Sequence, residues 1–151
     1  MDRCIRILTD SVSDLPAALV DRYKIGVLPV YLVLNGEPYR DDGSIDRSWF
    51  YGQLAQGAIR FSTAAPAIQE FHSAYQALAD AGADDIIALF TASSVSSIWG
   101  HGQVAARSFA GARVHVVDST QISMGLGWQV AEAAVMAEAG ASVDEVLRAI
   151  G

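Results

Sequence analysis

One cysteine, Cys4, stands in the 151 residues, so no disulfide can form within the chain. Cations are sparse too: ten Lys and Arg face seventeen Asp and Glu, a formal charge of −7. Nucleic acids and anionic membrane surfaces are recognised by clustered Lys and Arg. The balance therefore argues against both as partners, while leaving room for one small anion at a locally positive site. Long polar tracts are absent, which argues against disorder. No apolar stretch reaches the about 18 residues of a spanning helix, so the chain does not read as a transmembrane protein. Met1-Asp2-Arg3-Cys4 leads straight into strand-like residues, without the basic region and apolar stretch of a signal peptide. The simplest expectation is a cytoplasmic protein.

What is present is a chain 52% hydrophobic and 18% charged, long enough for one domain with a real core. Strand and helix signals alternate along it. Ile5 to Thr9 is a β-branched run ending at Asp10, and a short helix over Pro16 to Tyr23 follows, with Ser13 or Asp14 as its cap. Ile25 to Leu34 reads as one strand, and Asn35-Gly36 as a tight turn. Asp46 to Gln56 reads as a helix ended by Gly57. Pro66 opens a clearer helix, with Ile68, Phe71, Tyr75 and Leu78 at three- and four-residue steps. Ile86 to Phe90 is an apolar strand, and the loop Thr91-Ala92-Ser93-Ser94 precedes a helix to about Phe109. Val114 to Val117 is a strand ending at Asp118. A long helix spans about Ser123 to Glu138, and Ser142 with Glu145 forms a capping box for a last one. The alternation predicts an α/β fold: a mostly parallel sheet with helices on both faces.

In such sheets ligands bind at the carboxyl ends of strands. Here those ends carry Asp10 and Ser11, then Thr91 to Ser94, then Asp118 and Ser119. Ser93, Ser94, Ser96 and Ser97 crowd the start of one helix, whose leading amides lack internal partners and carry the positive end of the helix dipole. Hydroxyls and amides together can hold an anion without Lys or Arg. Thr63, just ahead of the Pro66 helix, offers another hydroxyl. Plain N-capping explains the same serines, and Asx turns explain Asp10 and Asp118, which could alternatively form an acid/base or metal pair. Gly100-His101-Gly102-Gln103-Val104-Ala105 has the letters of a dinucleotide fingerprint, but not its place directly after a strand. Packing glycines within a helix are the better reading. His72, His101 and His115 show no metal spacing with one another or with Cys4, and no metal site is expected.

At these residues the chain resembles the DegV family, whose members bind fatty acids. Ile7-Leu8-Thr9-Asp10-Ser11-Val12-Ser13-Asp14-Leu15-Pro16 looks like the family's opening strand and turn. Val27-Leu28-Pro29-Val30 and Tyr39-Arg40-Asp41-Asp42-Gly43 match its second strand and following loop. Thr63-Ala64-Ala65-Pro66-Ala67-Ile68-Gln69-Glu70-Phe71 is similar to its Thr-Ser-Gln-Pro-Ser-Pro-x-x-Phe, with Ala64 and Ala65 in place of serine and glutamine. Ser93 to Trp99 is similar to its Ser-x-Leu-Ser-Gly-Thr-Tyr, with Ser97 and Ile98 in place of glycine and threonine. Asp118-Ser119 with Ser123-Met124-Gly125-Leu126-Gly127 completes the series in order.

The resemblance implies a fold like the family's N-terminal domain. It implies that residues 1–151 form one α/β domain, the first of a two-domain protein whose C-terminal domain is absent from this chain. It implies that Thr63 and Ser96 hydrogen-bond a long-chain fatty-acid carboxylate, with amides at Ser96 and Ser97 assisting and Ser93, Ser94, Asp10, Ser11, Asp118 and Ser119 as weaker candidates. A non-enzymatic carrier would then present the acyl group to a fatty-acid kinase that supplies ATP and metal, in phospholipid metabolism, with no cofactor of its own. The face left open by the missing second domain would favour self-association. A different reading of the residues is an α/β phosphotransferase or hydrolase using Asp10 or Asp118 with the Ser93–Ser97 loop as a phosphate cradle.

Overall fold

From Ile86 to Phe90 every side chain is fully buried in the computed structural model, which describes residues 3–151. This is strand β6 (Asp85–Phe90), and its neighbours show why both faces are covered. β1 (Ile5–Asp10), β2 (Gly26–Leu28), β6 and β7 (Arg113–Asp118) form a parallel sheet in the order β2-β1-β6-β7. Side chains alternate across it. Leu8, Ile86, Ala88 and Phe90 meet Phe71 and Tyr75 of α3 (Ile68–Asp80) and Ile98 and Ala105 of α4 (Ile98–Ser108). Ile7, Ile87 and Leu89 meet Leu126, Val130 and Ala133 of α5 (Met124–Glu138) and Val146 of α6 (Val143–Ile150). Each such large apolar side chain contributes roughly 1.5–3 kcal/mol on burial. The expected parallel sheet with helices on both faces is therefore present. Among the described residues no helix is long and apolar enough to cross a membrane.

Three local readings need correction. Ile25 to Leu34 is not one strand. Pro29, which has no N–H for a ladder, separates β2 from β3 (Tyr31–Leu34), and the two belong to different sheets. β3 pairs antiparallel with β4 (Glu37–Arg40) through a turn in which Asn35 and Gly36 both have positive φ. It also pairs with β5 (Phe61–Ala64), a strand whose Phe-Ser-Thr-Ala run carries no recognisable strand pattern. α2 (Arg47–Ala55), capped by Asp46, connects β4 to β5, so residues 31–64 form an insert between β2 and α3. The first helix, α1 (Ala17–Tyr23), has no side-chain cap. Ser13 is buried in a 3-10 turn over Ser11–Ser13, and Asp14 accepts from the Ser123 hydroxyl at 2.6 Å. α3 begins at Ile68 rather than at Pro66, which is buried ahead of it.

At the amino edge of the sheet Asp85, 0% exposed, accepts from Arg3, from Arg113 Nε at 3.1 Å and bonds His115 Nε2 at 2.9 Å. Burial pushes its carboxyl up, but the hydrogen bonds from His115, Arg3 and Arg113 outweigh this and hold it below the ordinary value. A depressed folded-state pKa gives stability that is complete above the unfolded carboxyl value and lost as pH falls through the folded one. Acid unfolding of Asp85→Asn, followed by circular dichroism, should accordingly be flatter than that of the wild type below about pH 4. Parallel slopes would show that the cluster contributes nothing to acid sensitivity.

Candidate ligand-binding site

The chain leaves β1 toward β2 on one side and returns past it to β6 on the other, so the sheet order reverses between β1 and β6. A crevice opens outside the carboxyl ends of such strands. Asp10, at the end of β1, is fully buried there. Its Oδ2 accepts from the Thr91 amide at 2.7 Å, and its Oδ1 accepts from the Thr91 hydroxyl at 3.0 Å and the Val12 amide at 2.9 Å. Burial pushes this carboxyl above its ordinary value, against the opposing pull of the Thr91 and Val12 bonds. Asp118 serves the neighbouring loop, with Oδ1 accepting from the amides of Ser93 and Thr120, each at 3.1 Å. Burial raises the Asp118 carboxyl, but the bonds from Ser93 and Thr120 bring it below the ordinary value. Both carboxylates thus have their hydrogen-bonding capacity directed into loop structure.

The weaker candidates divide likewise. Ser119 is buried, with its hydroxyl exchanging bonds with Gln121. Ser11 Oγ accepts from the Val30 amide at 3.1 Å, tying the end of β1 to the core residue just before the insert. Ser93 and Ser94 are exposed on the loop that Asp118 holds.

The loop after β6 leads into the first turn of α4. Ser96, half-buried, accepts from the Ile98 amide at 3.3 Å, which leaves its own O–H free to donate. The amides of Val95 and Ser96 turn inward to the Ala92 carbonyl. Among the described residues the amides of Ser97, Trp99 and Gly100 have no hydrogen-bond partner, as the first turn of a helix dictates. Ser97 occupies the cap position with an exposed side chain that makes no cap bond. Gly102, further along the helix, lies against Phe90 so closely that an added Cβ would stand 2.6 Å from its ring, while Gly100 meets nothing within 4 Å. Close packing thus accounts for Gly102 alone.

Thr63 is exposed on β5, opposite Leu32 of β3, and no hydrogen bond within the described residues takes up its hydroxyl. Its strand runs into the same core as α4: Ala65 and Trp99 both pack on the cluster that contains Ile98, and the Pro66 carbonyl meets His101 Nδ1 at 3.0 Å. Neither Thr63 nor Ser96 is turned into the interior. The other two histidines are accounted for locally, His72 by Ser108 Oγ at 2.9 Å and His115 by Asp85.

The family model described as "Uncharacterised protein, DegV family" matches residues 4–151. The chain belongs to the DegV family. A DegV domain-containing protein of Streptomyces coelicolor is 35% identical over 149 residues, covering 99% of this chain and 52% of its own. One from Deinococcus radiodurans is 33% identical over 147 residues, covering 97% and 51%. Among solved structures, a DegV family protein from Thermus thermophilus, described by its fatty acid binding, superposes with a TM-score of 0.89 at 33% identity, over 97% of this chain and 51% of that one. A Thermotoga maritima protein reported to reveal fatty acid binding function gives 0.89 at 25% identity, over 98% and 54%. This DegV chain spans about half the length of the curated relatives it matches.

Proposed function

We propose that this chain binds the carboxylate of a long-chain fatty acid at the leading turn of α4, with Thr63 and Ser96 as hydroxyl donors and the Ser97 amide assisting. The observation that carries this reading is the open donor set at the sheet's reversal point: an unengaged Ser96 proton beside amides that have no partner. The fatty acid binding described for the Thermus thermophilus relative supports it. A tail of about 15 methylenes contributes on the order of 12 kcal/mol when fully buried, whereas one hydrogen bond to a charged group contributes about 1.5–3 kcal/mol. The tail drives affinity, and the donors choose an acid over an uncharged lipid.

The wider reading is a carrier rather than an enzyme, with no cofactor, presenting the bound acid to a fatty-acid kinase. The chain then corresponds to the first domain of a two-domain DegV protein. In this reading exposed apolar side chains, Val95, Ile122 and Trp128 among them, offer contacts for self-association. The test is to denature the purified protein and identify released lipid by mass spectrometry, then to titrate palmitate, oleate, a nucleotide and a sugar phosphate while following Tm. Fatty acid in the extract and a Tm raised by the acids alone are expected. No lipid and no response to either acid would remove the reading.

A further inference from the structure

Thr63 and Ser96 stand on different parts of the molecule. Among the described residues none between Tyr31 and Ala64 belongs to either core cluster, so the insert that carries Thr63 is not packed into the body that carries Ser96. Side-chain hydrogen bonds between the two converge on one residue of α3. Glu70 Oε1 accepts from the Tyr31 hydroxyl at 2.8 Å and from Arg40 at 3.2 Å, and Arg40 also reaches the Tyr31 hydroxyl at 3.5 Å. The other oxygen, Oε2, accepts from the Ala67 amide at 3.0 Å.

Register makes these bonds bear on Thr63. Tyr31 lies opposite Ala64 on one side and Arg40 on the other, so the residue beside Thr63 is clamped within its sheet by the pair that Glu70 holds. Ala67 is four residues further along the chain, and Pro66 before it meets His101 of α4. One carboxylate therefore anchors the strand of Thr63, through Tyr31 and Arg40, and the start of the helix after it, through Ala67. The Glu70 bond also holds the Tyr31 phenol above its ordinary value.

We propose that Glu70 is the positioning residue of the head-group site, setting through Tyr31 and Arg40 where the Thr63 hydroxyl stands relative to the leading turn of α4. This rests on the fatty-acid reading above and adds that the side-chain hydrogen bonds holding the insert run through one polar latch, beside the backbone bond from the Asp41 amide to the Val30 carbonyl at 2.8 Å. Loosening the latch leaves Thr63 chemically intact but lets it leave its place, so selectivity for the acid head falls while tail binding persists.

A double-mutant cycle on the full chain tests this, with palmitate and methyl palmitate as probes and Tm as the folding control. Tyr31→Phe, which removes only a hydroxyl, should weaken palmitate binding about tenfold and methyl palmitate binding by less than about twofold, as losing one well-placed charge-assisted hydrogen bond would. In a Thr63→Val background the same change should have no further effect on palmitate, because its route through Thr63 is already gone. Glu70→Gln, which keeps an acceptor oxygen, should retain more palmitate affinity than Glu70→Ala. Equal losses for both lipids, or additive effects of Tyr31→Phe and Thr63→Val, would overturn the latch while leaving fatty-acid binding standing. Wild type that binds neither lipid would instead overturn the reading on which it rests.

Discussion

Changing Thr63 and Ser96 together to alanine should weaken palmitate binding about a hundredfold and leave methyl palmitate nearly unaffected, because each hydroxyl supplies about one charge-assisted hydrogen bond that an ester cannot match. The two single changes differ in a way that separates binding from folding. Thr63 is exposed and its hydroxyl has no internal partner, so Thr63→Ala should leave Tm unchanged. The Ser96 hydroxyl caps the Ile98 amide, so Ser96→Ala also removes a cap and costs about 1 kcal/mol of stability. Calorimetric titration with both lipids, beside thermal melts of each variant, reads both quantities. A double variant whose acid and ester affinities fall together would mean that the hydroxyls shape the tail's path rather than recognise its head.

The parallel sheet was legible because its signals are local and redundant. Ile86 to Phe90 is an unbroken apolar run flanked by loops, and Ser142 with Glu145 writes its capping box into four residues. β5 was not legible. Phe61-Ser62-Thr63-Ala64 is exposed throughout, so burial imposes no alternation, and its pairing depends on β3, about thirty residues earlier. That gap reaches the site, since Thr63 reads from sequence as a residue ahead of a helix and is found on a strand of a separate sheet. Asp10 was half legible: an Asx turn to Val12 is readable two residues away, but the bonds to Thr91 join residues 81 positions apart. Glu70 reads as an ordinary first-turn acid, and only the fold brings Tyr31 and Arg40 to it.

Asp10→Ala should be among the most damaging single changes, costing about 3 kcal/mol or more at neutral pH, because it strands donors that are worth about 1–3 kcal/mol each when buried unpaired. Asp10 is 0% exposed and joins the end of β1 to the end of β6, so its loss frees Thr91, the first residue of the loop that leads to Ser93–Ser97. Asp118, half-buried at the end of the edge strand β7, is the fitting comparison, and Asp118→Ala should cost only about 1 kcal/mol. The pH dependence carries the sharper signature. Because burial raises the Asp10 carboxyl, the native state holds that proton more tightly than the unfolded chain does. Its contribution to stability therefore declines as pH rises from the unfolded value to the folded one, then levels off, opposite in sign to that of Asp85. Urea unfolding across pH 4–8 should show the difference between wild type and Asp10→Ala shrinking as pH rises through that window and constant above it. A difference that grows with pH would mean that the hydrogen bonds from Thr91 and Val12 outweigh burial and that the native carboxyl sits below its ordinary value.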